Sequence, residues 1–349
     1  GDHRDLHYPL RRQRQMCIRD SVDGNRVETA SDLTASLSMV DVYDIDRVEV
    51  IKGAQSSLYG SGAMGGIVNI ITKDGHFSDK PYVSGNIGTG FASANKLFSG
   101  HADVDAGSEK LYLRLSGTYS KANDIRTPEG IMPNSQYTYN NFMTKLGIKP
   151  KDNHLFNLQY QRYWAADVGI PGGDAFPGPA EATYTGIGRS LLSGSYEITG
   201  LGEKLSSLKF GYFNQYIDRN VSLVPNSVTE TILANGNIQR TTPELMTPLG
   251  QHLTNGGQVQ STWELSAENT IIAGFDIWSR RLTTDRTKYI TLEVLNPARE
   301  VLKTNKIVRG ETPIPLSTFT SSGLFLQDET RLLDGKLTLI AGGRIDGVW

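Results

Sequence analysis

Residues 60–65 read GSGAMG, which places Gly60, Gly62 and Gly65 at the spacing G-x-G-x-x-G, with Gly66 next. In a dinucleotide-binding unit such glycines let a tight turn carry backbone amides against a pyrophosphate at a helix N-terminus. That chemistry needs a strand ending at the glycines and a helix opening from them. The run Val48-Glu49-Val50-Ile51 is a good strand, but it ends at Gly53, well before Gly60. Ile67-Val68-Asn69-Ile70-Ile71-Thr72 is β-branched except at Asn69, which favours a second strand over a helix. A pyrophosphate would find no helix N-terminus there, and no G-K-[ST] follows to make a P-loop. The stretch reads as strand, compact small-residue turn, strand, and no nucleotide cofactor is expected.

Other reactive residues form no constellation. His3, His7, His76, His101, His154 and His252 are scattered, with no H-E-x-x-H and no nucleophile elbow in a strand–helix context. His3-Arg4-Asp5-Leu6 mimics the start of a kinase catalytic loop without the Asn that should follow. Asp44, Asp46, Asp103 and Asp105 have D-x-D spacing but no Ca²⁺ loop around them. Cys17 is the single cysteine, so no disulfide framework or thiolate metal site can form. We assign no catalytic residue, no metal and no cofactor, and expect no enzyme. A net charge of −2 leaves no global basic field for nucleic acid.

The elements that would position any site are strands. Leu111, Leu113, Leu115, Gly117 and Tyr119 alternate with Tyr112, Arg114, Ser116, Thr118 and Ser120, one face apolar and the other mostly polar. Residues 154–163 and 336–346 behave the same way. Eleven such segments are expected, near 81–92, 96–106, 110–122, 138–149, 154–165, 186–199, 205–219, 254–266, 269–283, 317–331 and 335–346. Their connections alternate: 107–109, 150–153, 200–204, 267–268 and 332–334 are tight, whereas 123–137, 166–185, 220–253 and 284–316 are long. Short turns at one end and long loops at the other are the parity of an up-and-down membrane barrel. No apolar run reaches the ~18 residues of a spanning helix, and a barrel needs none. Trp164, Tyr216 and Trp278 fall toward the long-loop side and Trp263 toward the short-turn side, as interfacial girdles would place them. Residues 1–20 are Arg-rich and aperiodic, and are set aside as a non-native or disordered stretch.

The segment 21–73 resembles the second half of the plug domain of TonB-dependent outer-membrane receptors. The matching positions are Asp23-Gly24, Asp46-Arg47-Val48-Glu49-Val50, Lys52-Gly53, Ser57-Leu58-Tyr59-Gly60, Ala63, Gly65-Gly66 and Asn69-Ile70-Ile71-Thr72. Ala54 stands where the family often has Pro, and the first half of the plug and the TonB box have no counterpart upstream. The resemblance implies a mainly β fold: a partial plug at 21–75, then at 76–349 about half of an antiparallel transmembrane barrel of about 22 strands. It implies a bacterial outer-membrane receptor, embedded in outer-membrane lipid, that imports a scarce ligand with energy delivered by TonB. A ferric siderophore ranks first and haem or cobalamin next; a passive porin-like channel or other outer-membrane β-barrel is the alternative, and a soluble dinucleotide-binding enzyme the remote one. Asp23, Gly24, Arg47, Glu49, Gly53, Tyr59, Gly60, Gly62, Gly65, Gly66 and Asn69 would be its structural signature. Arg47 and Glu49 share a strand face and are expected to hold the plug by ion pairs to inward barrel charges such as Glu329 or Arg344. In the Pro- and Gly-rich loop 169–186, Phe176 and Tyr184 are the expected ligand contacts.

Overall fold

The computed structural model of the chain describes residues 18–27, 39–52, 60, 66–171 and 180–349. The stretch 1–17 and, among the signature and contact residues, Gly53, Tyr59, Gly62, Gly65 and Phe176 lie outside the described residues.

A small sheet comes first. Its strands are β1 (Ile18–Val22), β2 (Asn25–Arg26), β3 (Ile45–Lys52) and β4 (Gly66–Thr72), in the order β2-β1-β4-β3. β1 begins inside the stretch 1–20 that the sequence set aside, because it runs parallel to β4 from the pair Ile18↔Gly66 onward. β1 and β2 are joined by Asp23-Gly24, with φ of 49° and 76°. Two central residues at positive φ make the turn whose twist suits a two-residue hairpin, and Asp-Gly is a favoured pair for it. β3 pairs antiparallel with β4, from Lys52↔Gly66 to Ile45↔Thr72. Gly66 takes φ +146°, and a Cβ there would stand 2.5 Å from the Ile51 carbonyl oxygen, so that strand start admits only glycine. Val22, Val27 and Ile70 form the buried core, with Val40 and Ile45 packed against it.

The chain then enters a large antiparallel sheet. In order come β5 (Tyr82–Ala92), β6 (Leu97–Gly107), β7 (Leu111–Ala122), β8 (Ile125–Thr127), β9 (Gly130–Met132), β10 (Tyr137–Lys151), β11 (His154–Ala166) and β12 (Val168–Ile170). They are followed by β13 (Glu181–Thr199), β14 (Leu205–Val224), β15 (Thr229–Ile232), β16 (Ile238–Ser266), β17 (Asn269–Leu295), β18 (Val301–Glu311), β19 (Ser317–Leu332) and β20 (Leu337–Val348). The main path is β20-β19-β17-β16-β14-β13-β11-β10-β7-β6-β5, a meander of the eleven expected strands in which every neighbour in space is also the next long strand in sequence. β12, β15 and β18 lengthen the sheet at the long-loop end by pairing β13, β16 and β17, while β8 and β9 form a separate hairpin.

Two expected loops are corrected. Most of 220–253 and 284–316 is strand: β16 has 29 residues and β17 has 27, paired from Ile238↔Leu295 to Ser266↔Asn269. The excess beyond a membrane-spanning length of ~9–11 residues projects as a ladder past the main sheet. Period-2 patterning misses it because both faces of a ladder in water can be polar.

Burial is inverted relative to a soluble β domain. On β7 the buried positions are Tyr112, Arg114, Ser116, Thr118, Ser120 and Ala122, while Leu111, Leu115 and Tyr119 are exposed. Ser99, His101, Asp103, Lys145, Gln161, Arg189, Gln215, His252 and Thr254 are likewise buried. Ile87 (88%) and Ile345 (79%) are among the most exposed large apolar residues. An exposed belt of large apolar side chains on one sheet face, with the polar side chains turned inward over a second sheet, is the arrangement of a sheet whose outer solvent is lipid.

Candidate functional site

The small sheet is fastened to the inner face of the large one at a few polar points, and the Asp-Gly turn carries the chief of them. Turn geometry holds Asp23 over the end of β4, where its backbone amide donates to the Ile70 carbonyl at 2.9 Å. The Asp23 carboxylate accepts from the Thr72 amide (2.8 Å) and the Thr72 hydroxyl (2.7 Å) of its own sheet. From the large sheet it accepts from Gln161 Nε2 (3.1 Å), and Lys145 Nζ stands 3.6 Å away. Lys145 also donates to the Thr72 carbonyl (3.0 Å) and pairs with Asp74 at 2.9 Å. Behind Gln161 the buried Arg189 donates to Gln161 Oε1 (3.0 Å) and Gln215 Oε1 (2.8 Å), and Gln215 in turn donates to the Arg26 carbonyl at 3.0 Å. One continuous network thus runs from strands β10, β11, β13 and β14 into β2 and β4.

Asn69 braces the same turn. Its Oδ1 accepts from the Gly24 amide (3.1 Å) and Ser21 Oγ (2.9 Å), and its Nδ2 reaches Glu49 at 3.4 Å. This side chain is the one polar interruption in an otherwise β-branched strand, and the turn beside it explains its presence.

A second anchor is Asp44, at the end of a single 3₁₀ turn, Val42–Asp44. Asp41 caps this turn by accepting from the Tyr43 amide at 3.0 Å. Ser116 Oγ and Asn141 Nδ2, from β7 and β10, each donate to Asp44 at 2.6 Å. Burial pushes the Asp44 carboxyl above the ordinary carboxylate range, against the lowering effect of the Ser116 hydrogen bond, and Asp41 nearby adds to the rise. Next to it the Tyr43 ring stacks on His101 at 4.8 Å. Asp103 and Asp105, which the spacing left without a metal role, both bind Arg114 across β6 and β7.

Arg47, Glu49, Glu329 and Arg344 are paired otherwise than expected. Arg47 binds Asp46 and Glu49 of its own strand, each at 2.9 Å, with its side chain 58% exposed. Glu329 binds Arg331 two residues on at 3.2 Å. Arg344 is taken by Asp276 (2.6 Å) and Asp346 (2.7 Å). The reason is position: β3 is the edge of the small sheet, so its charges pair along the strand, and Arg344 is already satisfied by two carboxylates of its own sheet. Arg344 does face Gly60, since a Cβ on that residue (φ +86°) would lie 3.6 Å from its Cζ. Trp278 is also reassigned. It is buried and faces inward, with the Arg26 guanidinium 4.4 Å above its ring, so it belongs to the inner contact and not to an outer girdle.

Toward the long-loop end, Met39 packs with Ala165, Ile187 and Ile217, flanked by Tyr139, Tyr163, Val168 and Tyr184. Tyr139 stacks between Tyr137 (6.2 Å) and Tyr163 (5.5 Å), and the Tyr184 hydroxyl accepts from Arg219 at 3.0 Å. Tyr184 was singled out from the sequence. Tyr137, Tyr139 and Tyr163 were not, although the alternation Y-T-Y at 137–139 puts both rings on one face. No cluster of His, Cys, Asp and Glu that could hold a metal occurs among the described residues.

Comparison with known proteins matches two family models: "TonB-dependent Receptor Plug Domain" over residues 19–67, and "TonB dependent receptor-like, beta-barrel" over 132–348. The ferric aerobactin receptor of Klebsiella pneumoniae is 38% identical over 101 residues, covering 29% of this chain and 14% of its own. The vitamin B12 transporter BtuB of Vibrio cholerae is 31% identical over 138 residues, covering 39% and 22%. Among solved structures, the copper transporter OprC superposes with a TM-score of 0.71 at 17% identity, over 95% of this chain and 47% of its own. FpvA of P. aeruginosa, bound to an iron pyoverdine, gives 0.58 at 13% identity over 95% and 45%. The chain therefore spans about half the length of these structures and a smaller part of the curated relatives it matches.

Proposed function

The chain belongs to the TonB-dependent receptor family, and from that premise we propose that it is the plug-and-barrel part of a bacterial outer-membrane importer. Its cargo is a scarce chelate, a ferric siderophore first and haem or cobalamin next. The plug portion begins at Ile18 and runs to about residue 75, and the barrel portion follows. The observation that carries this reading is the plug itself: a small sheet held against the polar inner face by Asp23 and Asp44, where a passive channel would need open space. The ferric aerobactin and rhizobactin receptors among the relatives favour a siderophore, and BtuB favours cobalamin as the second reading.

Import of this kind makes and breaks no covalent bond. The cargo settles at the long-loop end, where Tyr137, Tyr139, Tyr163 and Tyr184 offer aromatic surface around Met39 of the plug. TonB, working from the inner membrane, pulls on the plug. Many of the contacts that must yield are polar, beside the apolar packing of Met39 on Ala165, Ile187 and Ile217. In a wet lumen each lost hydrogen bond is replaced by one to water, so its net worth is only about 0.5–1.5 kcal/mol. The plug can then shift without unfolding the barrel. Growth of a deletion strain on defined ferric siderophores, haem and cobalamin as sole sources tests the proposal. We expect a defect on ferric siderophores that the cloned gene repairs, and normal growth on all three would refute import of this class.

A further inference from the structure

Two buried cations on the inner face of the large sheet find their negative charge on the plug. Among the described residues, every partner of Lys145 Nζ belongs to the plug: Asp74 at 2.9 Å, Asp23 at 3.6 Å and the Thr72 carbonyl at 3.0 Å. Arg189 is 1% exposed and donates to the neutral amides of Gln161 and Gln215. Its Nη2 is buried with no hydrogen-bond partner among the described residues. The carboxylates around it are again the plug's. Asp23 accepts from the other end of the Gln161 amide at 3.1 Å. Asp41 and Asp44 line, together with Arg189, a cavity of about 10 Å³, room for one water. Asp41 Oδ2 is also buried with no hydrogen-bond partner among the described residues.

Other inward cations are neutralised within their own sheet. Arg114 stands directly across the ladder from Lys145, and Asp103 and Asp105 take it up. Arg344 is held by Asp276 and Asp346. A buried charge stripped of its counter-charge is strongly destabilised until another anion replaces it. At Lys145 and Arg189 the counter-charge sits on the element that import must displace. Their placement also makes a path. Arg189 pairs across the ladder with Ile217, two residues nearer the tight turns than Arg219, whose guanidinium meets Tyr184 at the long-loop end. Arg189 stands opposite Tyr163 and Lys145 opposite Gln159, a descent of four residues, about 13 Å, along the strand between them. A guanidinium suits two carboxylate oxygens at once, and an ammonium group follows as a point charge.

We propose that Lys145 and Arg189 form an anion-binding step in the lumen, covered by plug carboxylates at rest and taken over by carboxylates of the cargo in passage. The cargo is then a chelate of net negative charge, an inference that rests on the import reading above. Planar-bilayer conductance of the full-length protein tests the site, at the lowest urea concentration that releases the plug and with citrate as the probe. The readout needs no cargo, and because the plug is already released, weaker docking in a variant does not enter it. Citrate on the loop side is expected to reduce the wild-type current. The double variant Lys145→Gln, Arg189→Gln is expected to need at least fivefold more citrate for the same block, and the charge-keeping Lys145→Arg, Arg189→Lys the wild-type amount. Should the double variant fail to insert, Lys145→Gln alone is expected to need at least twofold more. Equal block of wild type and Gln variants, or no block of the wild type, overturns the proposal. Growth on ferric siderophores is scored separately, so a normal growth defect with no citrate block sinks the anion step alone, and a block without any growth defect sinks the import reading alone.

Discussion

Asp23 joins turn geometry to docking. Its positive φ is tolerated because Asp reaches the left-handed region more readily than most residues, and its carboxylate is the acceptor for three donors on two sheets. Asp23→Ala leaves those donors unmet, and one buried unmet donor costs about 1–3 kcal/mol. Hydrogen exchange along β4 should accelerate at least about tenfold. The double change Arg47→Ala, Glu49→Ala should leave it close to the wild-type rate, because that pair is exposed, closes on its own strand and reaches β4 by side chain only through the 3.4 Å contact of Asn69 with Glu49. Faster exchange in the double variant would restore Arg47 and Glu49 as the lock. Asp44 adds a pH dependence. Its carboxyl is raised above the ordinary 3.8, so the docked plug holds that proton more tightly than the released plug does. The contribution of Asp44 to docking is complete below about 3.8 and is lost as pH rises through the raised value. Relative to wild type, Asp44→Asn should flatten the pH profile of exchange at β3 in that window. An identical profile would show that the proton on Asp44 is not coupled to docking.

The long strands set the second scale. Beyond the main sheet, β16 and β17 continue as a ladder laced by charge. Glu230 binds Arg240 and Arg299, and Arg240 also binds Glu293. Glu311 binds Lys288 and Arg286. Hydrogen bonds from these cations hold both glutamates below the ordinary carboxylate range, Arg240 first for Glu230 and Lys288 first for Glu311. A lowered folded-state value means the contribution is present above the ordinary 4.5 and is lost as pH falls through the lowered one. On acidification the β17–β18 ladder should therefore open before the main sheet does. Site-resolved exchange at 286–311 between pH 6 and 3 measures this, and Glu311→Gln should remove the acid step. Because the pairs are exposed, high salt should mimic part of the effect.

At the scale of the whole molecule, the inverted burial decides which solvent the outer face requires. Ile87 and Ile345 are exposed on the edge strands and the Leu residues of β7 lie on the same face. Ile87→Arg should cost roughly 2–4 kcal/mol if its position is near the bilayer midplane, read as a lower midpoint for urea unfolding in lipid vesicles. Ser99→Thr, on the buried face of the neighbouring strand, should shift it far less. Equal effects would mean that the outer face does not meet lipid.

Sequence alone determined the eleven long strands of the main path, their meander, the tight turns at one end of the sheet, and the strand character of 67–72. All of these follow from local rules: side chains alternate with period two along a strand, tight turns join antiparallel neighbours, and a β-branched run resists helix. The docking contacts were legible only at Asp23 and Asn69, and there as a signature without a role. Lys145, Gln161 and Arg189 lie far along the chain from Asp23, and on their own strands they are three more polar inward residues. Which of many inward polar groups touches the plug depends on where the small sheet sits within the curve of the large one. The same holds for Arg47 and Glu49. Their strand was rightly read, but only the order β2-β1-β4-β3 makes it an edge, and an edge leaves its charges to pair along the strand.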